Sequence, residues 1–186
     1  MKISVFTEDI SSRRLEDLTP RMTELARNFL VGCKEAGVDI LIYCTYRSLL
    51  AQAKIYSQGR SNESIQAHAN QLREKGWTAC GDILASVRTT RGPRSTYAGP
   101  GESAHQFGYA FDYVPTLGGK PQWDDHAKLW NIAEGVAKEV GLQKLSFERP
   151  HLQDPTFEEN KIKLAESIPS SLVYLSHPDV PGGPAR

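Results

Sequence analysis

Ser103-Ala104-His105-Gln106-Phe107-Gly108-Tyr109-Ala110-Phe111-Asp112 sets a histidine and, seven residues on, a carboxylate among small and aromatic residues. The stretch reads as half of a metal site. Glycine at 108 lets the backbone bend where a side chain would block it, and Ala104 and Ala110 leave room around whatever His105 and Asp112 hold. From Phe107 to Val114 the aromatic run predicts a strand carrying Asp112, ended by Pro115 and turned at Gly118-Gly119.

Upstream, Thr19-Pro20 announces a helix: Thr19 suits the cap and Pro20 the first helical position. Met22, Leu25, Ala26, Phe29, Leu30 and Cys33 then recur at three- and four-residue spacing until Gly37. The spacing predicts an amphipathic helix over 20–36. Val38–Cys44 is a β-branched apolar run of strand length, and Thr45-Tyr46-Arg47-Ser48 follows it directly, placing Arg47 at the strand's carboxyl end. A second helical pattern runs from Leu49 to Tyr56 and closes at Gln58-Gly59-Arg60. Residues 61–80 predict one extra helix ending at Gly76-Trp77, and Gly81–Gly101, with its Gly and Pro residues and Arg88, Arg91 and Arg94, reads mostly as loop.

Downstream, Trp123-Asp124-Asp125-His126 leads a helix through Leu129, Trp130, Ala133, Val136 and Ala137, stopped at Gly141. A short strand follows within Leu142–Phe147. In Glu148-Arg149-Pro150-His151, Pro150 forbids a mid-helix reading. Residues 157–167 suit one last helix, and 177–186 is a Pro- and Gly-rich tail of the kind that orders poorly.

With 186 residues, 22 basic against 22 acidic side chains and 39% hydrophobic content, the chain has the composition of one soluble globular domain. The neutral balance argues against a nucleic-acid partner, and no apolar run approaches the roughly 20 residues a membrane helix needs. Acids at Glu8 and Asp9, where a signal peptide would carry its apolar core, argue against export by a cleaved leader. Cys33, Cys44 and Cys80 contain no CxxC pair, so buried free thiols are expected, with a Cys33–Cys44 bridge as the alternative in an oxidising compartment.

Among the five histidines, His105 has Asp112 nearby in sequence and His151 follows Glu148 by three. Two imidazoles and one carboxylate with an open position form a catalytic zinc set, and a further carboxylate that does not bind metal is what a hydrolase needs for proton transfer. Asp112 and Glu148 divide those roles. His68, His126 and His177 lack a partner motif and read as surface or structural.

SxHxxGxAxD followed far downstream by ExPH resembles the zinc peptidases of the D-Ala-D-Ala carboxypeptidase and dipeptidase superfamily. Tyr46-Arg47-Ser48 with Gln52, Tyr56 and Gln58-Gly59-Arg60 looks more specifically like the L-alanyl-D-glutamate endopeptidases of phage endolysins. The resemblance implies that His105, Asp112 and His151 bind Zn2+, that Glu148 is the general base and later acid, and that Arg47 steadies the polarised carbonyl or the oxyanion. It covers about residues 40–60 and 98–153, and the longer segment between Arg60 and Gly99 departs from the compact phage enzymes.

The expectation is therefore an α+β single domain, a small antiparallel sheet flanked by helices. The peptidase domain spans 1–176 with an insertion at about 61–99, and the tail spans 177–186. The implied activity is cleavage of the L-Ala-D-Glu bond of peptidoglycan stem peptides by a monomer without nucleic-acid or membrane partners. Such an enzyme is made in the cytoplasm and reaches the wall after holin-mediated release. The alternatives are a D,D-carboxypeptidase or D-Ala-D-Ala dipeptidase with the same metal site, and, from another class, a non-catalytic zinc-containing wall-binding module.

Overall fold

A computed structural model describes residues 8–123, 127–146 and 148–169. Thr19 caps the first helix with its hydroxyl, which accepts from the Met22 N–H at 3.2 Å, and Pro20 opens α1 (Pro20–Glu35). Its apolar stripe, Met22, Ala26, Phe29 and Cys33, is buried. Gly37, at φ 76°, stops the helix and feeds the chain into β1 (Asp39–Cys44). Both elements lie within a residue or two of their expected positions.

The chain divides into two compact units. The first comprises Ser11–Tyr46 and Phe107–Glu159 and holds the whole sheet. Its other strands are β2 (Ala110–Leu117), β3 (Lys120–Pro121), β4 (Gln143–Leu145) and β5 (Glu148–Gln153). They run antiparallel in the order β1-β2-β5-β4, with β3 hairpinned onto β2. The α+β class with a small antiparallel sheet and packed helices is the one expected.

Helix α5 (Ala127–Glu139) lies against α1, and the two approach so closely that a Cβ on Gly32 would stand 2.8 Å from Val136 Cγ1. Phe29 meets Tyr113 edge-on at 5.1 Å and Phe111 at 5.6 Å, while Trp130 packs on Tyr113 at 5.2 Å. Burying each such ring contributes on the order of 2 kcal/mol or more. Because side chains alternate along a strand, sending Phe111, Tyr113 and Leu152 to this core turns Ala110, Asp112, His151 and Gln153 to the other face.

Gly108 is required on two counts. It adopts φ 71°, and a Cβ there would lie 2.7 Å from the Asp17 carbonyl oxygen. Its own carbonyl accepts from the Thr19 N–H at 2.9 Å, so one tight crossing ties the start of α1 to the entry of β2. Pro115 does not end β2 as expected. The strand continues to Leu117, with Pro115 opposite Ile40. Proline is tolerated because β5 pairs only with Ala110–Asp112, leaving no β5 carbonyl that needs an N–H from position 115.

The second unit comprises Arg47–Gln106 with the described residues 8–10 and 160–169. Ser48 caps α2 (Leu49–Ser57) and Ser61 caps α3 (Asn62–Glu74). The helix expected within 61–80 stops before Gly76, φ 84°, as predicted, but α4 (Thr78–Ser86) follows and runs into the segment 81–101 that was expected to be mostly loop. Gly81 is a packing residue rather than a loop signal, since a Cβ there would meet the Ala69 carbonyl at 2.6 Å. Ile65, Ala69 and Leu72 bury against this helix pair.

Arg60 ties the following loop down. Its guanidinium stacks 3.8 Å from the Tyr56 ring and donates to the Thr96 carbonyl at 2.6 Å. Helix α6 (Phe157–Glu166) starts in the first unit, where Phe157 packs on Phe107 and Tyr109. All three cysteines are buried free thiols, and burial pushes Cys33 and Cys80 up to about 12. No helix among the described residues is long and apolar enough to cross a membrane. The expected leader at 124–126, which includes His126, and the tail with His177 lie outside the described residues.

Candidate metal centre

Strand register builds the site. Asp112, on β2, stands directly opposite His151 on β5 and Cys44 on β1. The β2–β5 register is regular, and two irregularities in the neighbouring pairs complete the site. On β1, Tyr43 is an extra residue between the Ile42–Tyr113 and Cys44–Asp112 pairs, so the sulfur rather than the phenol faces Asp112. On β5, Arg149, Pro150 and His151 occupy a step that takes β4 only from Lys144 to Leu145.

Regular alternation would put Glu148 and His151 on opposite faces, being an odd number of residues apart. Across the irregular step at Pro150, ligand atoms of Asp112, Glu148 and His151 instead lie within 4.8 Å of one another. Asp112 and His151 are buried and Glu148 is half-buried.

His151 is held at both ring nitrogens. Nδ1 lies 3.3 Å from Asp112 Oδ1, and Nε2 lies 3.0 Å from Gln153 Oε1. Two ligand atoms about 2.0 to 2.1 Å from one tetrahedral ion sit roughly 3.3 Å apart, so the Asp112–His151 spacing fits a shared cation. The donor set of carboxylate oxygen and imidazole nitrogen is one that zinc accepts. Neither Cys44 nor Gln153 was among the residues predicted from sequence. Cys44 has a carboxylate oxygen of Asp112 within 4.8 Å of its sulfur, and a lone cysteine at a strand's end carries no motif that would have flagged it.

His105 and Arg47 belong to the other unit. His105 is buried on a single 3₁₀ turn, Ala104–Phe107, and its carbonyl accepts from the Arg47 N–H at 3.3 Å. That turn is braced by Gln106, whose amide oxygen accepts from Gly101 N–H at 2.8 Å and Ser103 N–H at 3.3 Å. The Arg47 guanidinium donates to Gln52 Oε1 at 3.0 Å, and Gln52 in turn donates to the Ala98 carbonyl at 2.7 Å. Fully buried, Gln52 orients the arginine and pins the loop before the His105 turn.

His68 is structural, as expected. It stacks on Tyr56 at 4.9 Å, and its Nε2 lies 2.9 Å from Glu102 Oε2. Burial raises the Glu102 carboxyl, but hydrogen bonds from His68 and the Gly99 N–H overcome this and bring it down to about 2. The hydrogen bond that His68 donates to Glu102 outweighs burial and raises its imidazole.

An antiparallel sheet presenting a buried carboxylate and imidazole beside a second carboxylate has the parts of a metal-assisted hydrolase. Its family is shown by sequence: residues 15–156 match the VanY family, D-alanyl-D-alanine carboxypeptidase. The chain belongs to that family of peptidases. The solved LdcB LD-carboxypeptidase, whose structure is described as revealing the molecular basis of peptidoglycan recognition, is similar over 88% of this chain and 79% of its own, at 20% identity and a TM-score of 0.44. No curated protein matches the chain.

Proposed function

We propose that this chain is a zinc-dependent peptidase acting on peptidoglycan stem peptides, with His105, Asp112 and His151 as metal ligands. The observation that carries the reading is the convergence of Asp112, His151 and Glu148 across two strands, in a chain whose family is one of carboxypeptidases. When bound, zinc supplies Lewis acidity, polarising a peptide carbonyl and acidifying water. Glu148, half-buried beside Asp112 and His151, takes the proton from the attacking water and returns it to the leaving amine. Arg47, its guanidinium oriented by Gln52, steadies the negative charge that develops on the carbonyl oxygen.

For the scissile bond we favour L-Ala-D-Glu, on the resemblance of Tyr46-Arg47-Ser48, Gln52 and Tyr56 to the phage endopeptidases. The setting is then an endolysin that reaches the wall after holin-mediated release and works as a monomer. The family description supports a second reading, removal of a terminal D-Ala. Digestion of purified peptidoglycan, with the new termini identified by mass spectrometry, separates the two. Freed D-Ala with the L-Ala-D-Glu bond intact would overturn the first. No new terminus of either kind, from protein loaded with zinc, would overturn the peptidase reading altogether.

A further inference from the structure

We infer that Gln153 is a positioning residue for the metal centre: its amide oxygen takes the Nε2 hydrogen of His151 and so leaves the Nδ1 lone pair to a cation shared with Asp112. A neutral imidazole carries one hydrogen, and whichever nitrogen keeps it cannot bind a cation. A cation beside Asp112 would take Nδ1 of His151 and leave the hydrogen on Nε2. Nε2 faces Gln153 Oε1 at 3.0 Å and Nδ1 faces Asp112 Oδ1 at 3.3 Å.

The amide orientation is itself determined one step further out. Gln153 Nε2 donates to Gln143 Oε1 at 3.2 Å, across the β4–β5 pairing that sets these two glutamines opposite each other. With its nitrogen so engaged, the amide offers its oxygen to the ring. His151 and Gln153 are two residues apart on one strand and share a face, and opposite Gln153 on β2 stands Ala110, small enough to leave the amide in place. His151 is 4% and Gln153 2% exposed, so water does not compete for either group. Outer partners of this kind typically govern metal affinity about 10- to 100-fold.

This inference rests on the zinc reading above, and its test keeps the two apart. Long-range proton–nitrogen spectra of zinc-loaded protein, labelled in histidine, read directly which His151 nitrogen keeps its hydrogen. Wild type is expected in the Nε2–H form. In Gln153→Leu the Nε2 hydrogen loses its acceptor, and zinc affinity measured by chelator competition falls about 10- to 100-fold. Gln153→Glu keeps the acceptor and is expected to keep both the tautomer and the affinity.

An Nδ1–H form in zinc-loaded wild type, or a Gln153→Leu protein with unchanged zinc affinity, would overturn the inference. Should Gln153→Leu not fold, Gln143→Leu removes the group that orients the amide from an exposed position and is expected to show the same change in smaller measure; no change there also overturns it. Wild type that binds no zinc overturns the zinc reading and the inference with it, whereas zinc bound equally by wild type and Gln153→Leu overturns the inference alone.

Discussion

Asp112 and His151 face each other across the β2–β5 ladder, with Oδ1 and Nδ1 3.3 Å apart. A buried carboxylate and imidazole at that spacing, with Glu148 close by, offer a candidate site for a cation.

Zinc should therefore stabilise the protein. At a free concentration about 100 times its dissociation constant it adds about 2.7 kcal/mol to the folded state. The expected outcome is a concentration-dependent rise in melting temperature for wild type and none for Asp112→Asn. An equal rise in both would remove Asp112 from the ligand set.

Glu148→Gln should separate binding from catalysis. The amide cannot accept the water's proton, so kcat is expected to fall about 100- to 10,000-fold. Metal analysis should show the same zinc content as wild type. Loss of zinc along with activity would instead make Glu148 a ligand.

Gly108→Ala tests the crossing between α1 and β2. The residue adopts φ 71°, and the added methyl would stand 2.7 Å from the Asp17 carbonyl oxygen. A left-handed alanine alone costs roughly 1–2 kcal/mol, and the clash adds to it. Denaturant titration should show a loss of at least about 2 kcal/mol, and a smaller loss would mean that the crossing yields easily.

The Glu102–His68 pair makes stability pH-dependent. Glu102 is lowered from 4.5 to about 2, so its contribution is full above 4.5 and is lost as pH falls toward 2. His68 is raised from 6.5, so its contribution is full below 6.5 and is lost as pH rises through the raised value. The melting-temperature difference between wild type and Glu102→Gln should accordingly be greatest between 4.5 and 6.5 and shrink on both sides. A difference independent of pH would mean that the pair contributes through packing alone.

Phe29→Ala should expose how far the three-ring contact carries the first unit. The side chain is fully buried between Phe111 and Tyr113, and truncation there typically costs about 3–5 kcal/mol. Urea unfolding measures it, and a loss below 1.5 kcal/mol, roughly the span of a volume-conserving swap, would mean that neighbours refill the cavity.

Much of this was legible in the amino-acid order because it is local. The Thr19 cap, the α1 stripe, the β1 run and the need for glycine at 108 each depend on residues within a few positions or on backbone conformation. Gly81 and Pro115 misled because their usual meaning as punctuation is a local tendency, here overridden by the close contact with α3 and by the short reach of β5. The residues proposed for the centre, His105, Asp112, Glu148 and His151, were picked out in the sequence by their chemistry and family pattern.

The amino-acid order determined which groups are available and which segments carry them. Only the tertiary structure decided which of them meet. Strand register has a period of two, so the extra Tyr43 on β1 reverses what faces Asp112, and the irregular step at Pro150 on β5 brings Glu148 to the side of His151. Cys44 beside Asp112, Glu148 on the same side as His151, and Gln153 against the imidazole all follow from long-range pairing that side-chain packing sets across the sheet.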